Sequence, residues 1–309
     1  MFRWRRGCQW QVSYRGKKLW WGASFREIPV AGSDSLAQAL VMKTVLFLGD
    51  IVGRPGRDLV GRALPALRER EQIDLVVANG ENAAGGSGLT AALAAELLRA
   101  GVDGITLGDH VWDQKTLVNE IDQLPRVCRP ANLAPGNPGR DHLILEGNGF
   151  RLGVLTVLGR NFMPPQECPF RTTERLLGEV GDQADAWLLE IHAEATSEKV
   201  AFGWAFNGRA ALIVGTHTHI PTADTTVLDQ GTAYCTDAGM TGPYRSVIGR
   251  EIEPVIGRFR DGMPRRFAVA QEDVRISGVK VVLDETTGRA VAAELLHRRA
   301  EELDGSAME

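Results

Sequence analysis

Five short segments of this chain carry side chains that can hold metal ions, most of them beside a glycine. They are Gly49-Asp50, Asn79-Gly80-Glu81-Asn82, Gly108-Asp109-His110, His192, and Gly215-Thr216-His217-Thr218-His219. Four of the six histidines lie in them. Imidazole, carboxylate and amide oxygen together suit Mn²⁺, Fe and Zn²⁺. The absence of cysteine from all five disfavours a structural zinc site. Two ions a few ångströms apart could share a bridging carboxylate and activate water for hydrolysis. His217 and His219, two residues apart, would point to one side of an extended segment.

Each residue taken singly has a plainer explanation. An Asp after a strand commonly caps a helix or a turn, and a lone His is often a satisfied core residue. Asn82 could cap the loop Ala83-Ala84-Gly85-Gly86. The joint placement outweighs these explanations, because each segment closes an apolar run that reads as a strand.

Those runs are Thr44–Leu48, Asp74–Ala78, Gly104–Leu107, Ala186–Ile191 and Ala210–Val214. Their near-continuous apolar character fits strands buried on both faces. Helical spacing of apolar residues fills Asp58–Arg70, and Thr90–Ala100 is a second helix with Thr90 as its N-cap. Leu152–Val157 and Thr232–Thr236 add strands, and Val274–Leu283 with Ala290–His297 forms a hairpin around Glu285-Thr286-Thr287-Gly288. Alternating strands and helices give an α/β layered fold. In open α/β sheets, ligands bind at the carboxyl ends of the strands, where all five segments fall. The glycines of Gly49–Gly56 match neither a dinucleotide fingerprint nor a P-loop.

Composition is ordinary for a globular protein, with 44% hydrophobic and 24% charged residues. No apolar run is long enough to span a membrane as a helix. Cys8, Cys128, Cys168 and Cys235 are widely spaced, which argues against a disulfide framework and for a reducing, cytoplasmic setting. The net charge of −4 hides an asymmetry: residues 1–41 hold seven Lys/Arg against two Asp/Glu, so the remainder is acidic. An acidic body is not built for electrostatic nucleic-acid binding, which leaves nucleic acid a place only as substrate. Residues 1–41 also carry four of the seven tryptophans, and Met42 opens a clean strand. We expect 1–41 to be a disordered extension or a mis-assigned start, and 42–309 to be one domain.

The same residues resemble the calcineurin-like metallophosphoesterase superfamily, whose signature ends in Gly-x-His-x-His. They resemble most closely its YmdB-like bacterial branch, over about residues 42 to 297. The resemblance is carried by Gly49–Arg57, Asn79–Gly86, His192-Ala193-Glu194-Ala195-Thr196-Ser197-Glu198-Lys199, Gly215–His219 and Thr236-Asp237-Ala238-Gly239-Met240-Thr241-Gly242-Pro243. It implies a four-layer α/β/β/α sandwich, a dinuclear Fe or Mn centre, and phosphodiesterase activity that extends to 2′,3′-cyclic nucleotides. Asp50, Glu81, Asn82 and His219 would hold one metal, and Glu81 would bridge to a second held by Asp109, His192 and His217. His110 would be the general acid for attack by metal-activated hydroxide. Asp113 or Glu194 could orient an imidazole. The partner would be a cyclic nucleotide or other small phosphodiester, and the chain could form a homo-oligomer. Phosphomonoesterase activity, or a metal-bound regulatory or RNA-binding scaffold without turnover, are the alternatives.

One residue departs from the branch, which usually has Gly-Asn-His where this chain has Gly108-Asp109-His110. Aspartate keeps an oxygen donor and adds a negative charge. Three carboxylates against two divalent ions leave one net positive charge where asparagine would leave two. We expect Asp109 to favour a higher-charge metal or tighter metal retention.

Overall fold

A computed structural model describes residues 12–14, 17–19 and 42–303. The chain divides into two units, Met1–Ala39 and Leu40–Glu309. In the first, Val12–Tyr14 and Lys17–Leu19 form an antiparallel ladder. The rest of the expectation for 1–41 concerns residues outside those described.

The larger unit is built on two sheets. The first contains β1 (Met42–Leu48), β2 (Asp50–Ile51), β3 (Leu75–Asn79), β4 (Gly104–Thr106) and β5 (Val127–Cys128). The second contains β6 (Leu143–Gly147), β7 (Phe150–Leu158), β8 (Ala186–His192), β9 (Leu212–Thr216), β10 (Thr226–Val227) and β11 (Ala233–Cys235). The chain then returns to the first sheet through β12 (Met240–Pro243), β13 (Val274–Asp284) and β14 (Arg289–Arg299). The orders are β2-β12-β13-β1-β3-β4-β5, with β14 on the other side of β13, and β10-β11-β9-β8-β7-β6.

β1, β3 and β4 run parallel, as do β7, β8 and β9, so each set ends on one rim. β13 and β14 pair antiparallel around residues 285–288, the hairpin that the turn sequence predicts.

Both sheets are apolar on both faces, and three cores result. Between the sheets, Val45, Phe47 and Val77 meet Leu152, Leu188, Val214 and Val279. Outside the first sheet, α1 (Gly53–Arg70) and α2 (Ala91–Arg99) bury Leu59, Val60, Leu64, Leu67 and Leu97 against Leu46, Leu48 and Val76. Outside the second, α3 (Pro169–Val180) and α4 (Thr196–Ala205) bring Leu176 and Phe202 onto Leu155, Leu189 and Ile213. This is the expected four-layer α/β/β/α sandwich. Among the described residues, no helix is long and apolar enough to cross a membrane.

Thr90 caps α2 as expected, its side chain accepting from the Leu93 N–H at 3.3 Å. Helix α1 starts at Gly53, more than a turn before the apolar spacing begins. Pro55 is tolerated there because a first-turn N–H has no helical partner to lose. β9 sits two residues later than Ala210–Val214, so Gly215 and Thr216 lie within the ladder and only Thr216 is followed by loop.

Candidate metal centre

The shared rim brings the predicted residues together. Asp50 follows β1, Glu81 and Asn82 follow β3, and Asp109 and His110 follow β4. His192 ends β8, and His217 and His219 follow β9. Asp50, Glu81, Asn82, His192 and His219 are buried.

The side chains form two groups. In one, ligand atoms of Glu81, Asp109, His192 and His217 all lie within 4.8 Å of one another. His192 Nε2 is 3.1 Å from Glu81 Oε1 and 2.9 Å from Asp109 Oδ1. His217 Nδ1 is 3.1 Å from His192 Nε2 and 3.2 Å from Asp109 Oδ1. In the other, His219 Nε2 is 3.2 Å from Asn82 Oδ1. Asp50 accepts from the His217 N–H at 3.2 Å through Oδ2, and its buried Oδ1 has no partner.

The sequence-based expectation that His217 and His219 point to one side is overturned. Both have left-handed backbone, at φ 94° and 65°, so neither is extended. Such conformations cost about 1–3 kcal/mol each and persist where the surroundings impose them. Here they send the two imidazoles into different groups. Asp237 braces the turn, accepting from Thr218 Oγ1 and from Lys199 Nζ, each at 2.6 Å.

Gly108 shows how tightly the rim is packed: a Cβ there would overlap Glu81 Oε2 and His192 Nε2.

The electrostatics call for positive charge. Burial opposes ionisation of Glu81 and Asp109, yet the neighbouring His192, joined at Asp109 by His217, holds both carboxyls below their usual range. Burial would lower His192, but Glu81 and Asp109 raise it well above the ordinary imidazole value. Burial pushes Asp50 up, against the pull of His219 and His192.

The donor set fits metal ions. Asn82 Nδ2 donates to the Gly86 carbonyl at 3.3 Å, which leaves its Oδ1 facing the site. His219 Nδ1 lies 3.1 Å from the Ile248 carbonyl, and His217 Nε2 lies 3.2 Å from Glu194 Oε2. Each of these partners only accepts, so with the outward nitrogen donating, the opposite ring nitrogen would offer its lone pair to an ion, as ligation requires. The unpartnered Asp50 Oδ1 is a further inward donor.

His110 stands beside this cluster. Its backbone N–H donates to Glu81 Oε2 at 3.0 Å, its Nδ1 lies 2.9 Å from Asp113 Oδ2, and its side chain is 38% exposed. Ser87 Oγ donates to the same Asp113 oxygen. Asp113 and Glu194 thus each meet a motif histidine, as the sequence suggested.

Three buried residues went unassigned in the sequence. Asn79, Glu190 and Thr216 join in one hydrogen-bonded network below His192. A signal for Glu190 was available, since it is a lone acid inside the apolar run Ala186–Ile191. Burial pushes its carboxyl up, against the opposing effect of His192 and its hydroxyl and amide donors.

This fold, with these side chains at its rim, defines a phosphoesterase of the metallophosphoesterase sandwich class. Residues 46–296 match the model of the YmdB-like protein family, and the chain belongs to that family. A Bacillus subtilis (strain 168) relative, named 2′,3′-cyclic-nucleotide 2′-phosphodiesterase, is 44% identical over 250 residues, or 81% of this chain and 95% of the relative. A Thermus thermophilus protein of known crystal structure is 45% identical, with TM-score 0.78 over 83% of this chain and 99% of its own. The crystal structure of a Mycoplasma pneumoniae protein described as a novel phosphatase is 34% identical, with TM-score 0.79 over 84% of this chain and 94% of its own.

Proposed function

We propose that this chain is a dinuclear-metal phosphodiesterase that opens 2′,3′-cyclic nucleotides, with Fe or Mn as its metal. The single observation that carries the metal reading is the convergence of Glu81, Asp109, His192 and His217 within 4.8 Å. The name of the 44% identical relative supports the substrate class.

In this proposal Asp50, Asn82 and His219 would hold one ion, Asp109, His192 and His217 would hold the other, and Glu81 would serve both. When bound, the pair would supply charge neutralisation at the phosphate and a water acidic enough to yield hydroxide at neutral pH. In the overall reaction one water is consumed: its oxygen joins phosphorus, the P–O2′ bond breaks, and O2′ takes a proton. His110 is the donor of that proton. Asp113 engages its Nδ1, which fixes the ring and leaves Nε2 free to hand the proton over. Glu194 holds the His217 ring from its far side.

The cytoplasm is the compartment we propose for it. Cys128 and Cys235 are buried free thiols, and burial pushes both up, away from the reactive thiolate.

Hydrolysis of 2′,3′-cyclic AMP by the purified protein, before and after chelation and Mn²⁺ readdition, tests this reading. The expected result is metal-dependent release of the 3′-monophosphate. Turnover unaffected by stripping, or none with any added metal, would overturn it.

A further inference from the structure

The three site histidines differ in what fixes their tautomer. His219 and His217 each give their outward nitrogen to a group that can only accept, the Ile248 carbonyl and the Glu194 carboxylate. His192 instead gives Nδ1 to a hydroxyl, Thr216 Oγ1, at 2.8 Å. A hydroxyl both donates and accepts, so it selects no tautomer by itself. Something beyond Thr216 must decide.

We infer that Glu190 is that group: a buried positioning residue that sets the His192 tautomer through Thr216 and ties the two walls of the metal centre together through Asn79. The protons can be followed atom by atom. Asn79 Oδ1 accepts from the Glu81 N–H at 3.0 Å, which fixes the amide and turns Nδ2 toward Glu190 Oε1 at 2.7 Å. Thr216 Oγ1 donates to the same Oε1 at 2.6 Å. The one hydroxyl hydrogen of Thr216 is thereby used, so Thr216 must accept from His192 Nδ1–H. In the neutral ring that ligation requires, His192 Nε2, beside Glu81 and Asp109, then carries the lone pair. Reversing the Thr216 hydroxyl would place the proton on Nε2 and block ligation there.

The same carboxylate spans the two sheets. Asn79 closes β3 in the first sheet, whereas Glu190, His192 and Thr216 belong to β8 and β9 in the second. Glu190 therefore links the backbone that presents Glu81 to the ring of His192, whose Nε2 is 3.1 Å from Glu81 Oε1. All four network residues are fully buried, so no solvent competes for these bonds. Lost support of this kind typically costs about 10–100-fold in metal affinity.

This inference rests on the metal-centre reading above, and the test separates the two. Mn²⁺ affinity is measured by calorimetry on the stripped parent and on Thr216→Val, Thr216→Ser and Glu190→Gln, with thermal unfolding of each. Parent protein that binds no Mn²⁺ would overturn the metal reading itself. With the parent binding, we expect Thr216→Val to lose about 10–100-fold in affinity and Thr216→Ser to restore it to within about threefold. Glu190→Gln should weaken binding in the same direction, because its amide can reverse the Thr216 hydroxyl. Parent-like affinity in both Thr216→Val and Glu190→Gln would overturn the inference. So would a Thr216→Ser protein as impaired as Thr216→Val, which would mark the methyl packing as what matters. Should Thr216→Val fail to fold, the Glu190→Gln and Thr216→Ser pair decides alone: weakening by the first with retention by the second is required.

Discussion

The two halves of the proposed metal centre are built differently. The half made by Glu81, Asp109, His192 and His217 is drawn in tightly, with four contacts at 2.9–3.2 Å and a buried network beneath it. The half made by Asp50, Asn82 and His219 is more open: one contact at 3.2 Å and a buried carboxylate oxygen with no partner. The first is anchored on the buried end of β8, where His192 closes the strand. The second has Asp50 in β2 and shares with the first the loop after β3 and the left-handed turn after β9, but no comparable network among the described residues lies beneath it. A half braced by a buried network, paired with a half that leaves a buried carboxylate oxygen unpartnered, leads us to expect unequal affinities, with an ion in the second half exchanging more readily.

Five substitutions would break or sharpen that comparison. Glu81→Ala removes the one residue that serves both halves. Loss of both ions is expected, together with a fall in kcat/KM on the order of 10⁴-fold, about 5.5 kcal/mol of transition-state stabilisation. Metal analysis alongside steady-state kinetics reads both. His110→Ala should cost about 10²–10⁴-fold in kcat on an unactivated diester while metal content stays at the parent level. Near-parental kcat would remove His110 from its role.

Asn82→Ala reaches only the open half. Metal content should fall toward one ion per chain, whereas the same truncation at Asp109 should weaken the ion of the tight half. Equal losses from the two would erase the distinction between halves. Asp109→Asn is the mildest change, since an oxygen donor remains and only a charge goes. Faster metal release, read by transfer to a competing chelator, is expected with a rate change within about tenfold. An unchanged release rate would mean that the extra charge at Asp109 does not act on the metal.

Much of this was visible in the sequence because it depends on local pattern. The buried strands show as apolar runs such as Thr44–Leu48, and their ligand-bearing ends show because carboxylate and imidazole beside glycine are unusual there. The four-layer sandwich and the division of ligands between two ions came from the family resemblance. Spacing alone misled at His217 and His219, where tertiary packing imposes left-handed backbone, a conformation uncommon outside glycine. The start of α1 was missed because Gly53–Arg57 lies before the amphipathic stripe. The link among Asn79, Glu190 and Thr216 could not be read, because it joins residues up to 137 positions apart across two sheets, a pairing that no local period encodes.

The central claim is that one rim holds two ions and that both serve phosphodiester cleavage. It is tested most directly by titrating stripped protein with Mn²⁺ while following 2′,3′-cyclic AMP hydrolysis in the same samples. The account predicts two binding steps, with activity rising as the second, weaker one fills. Full activity at one equivalent, or saturation at two equivalents with no hydrolysis, would contradict it.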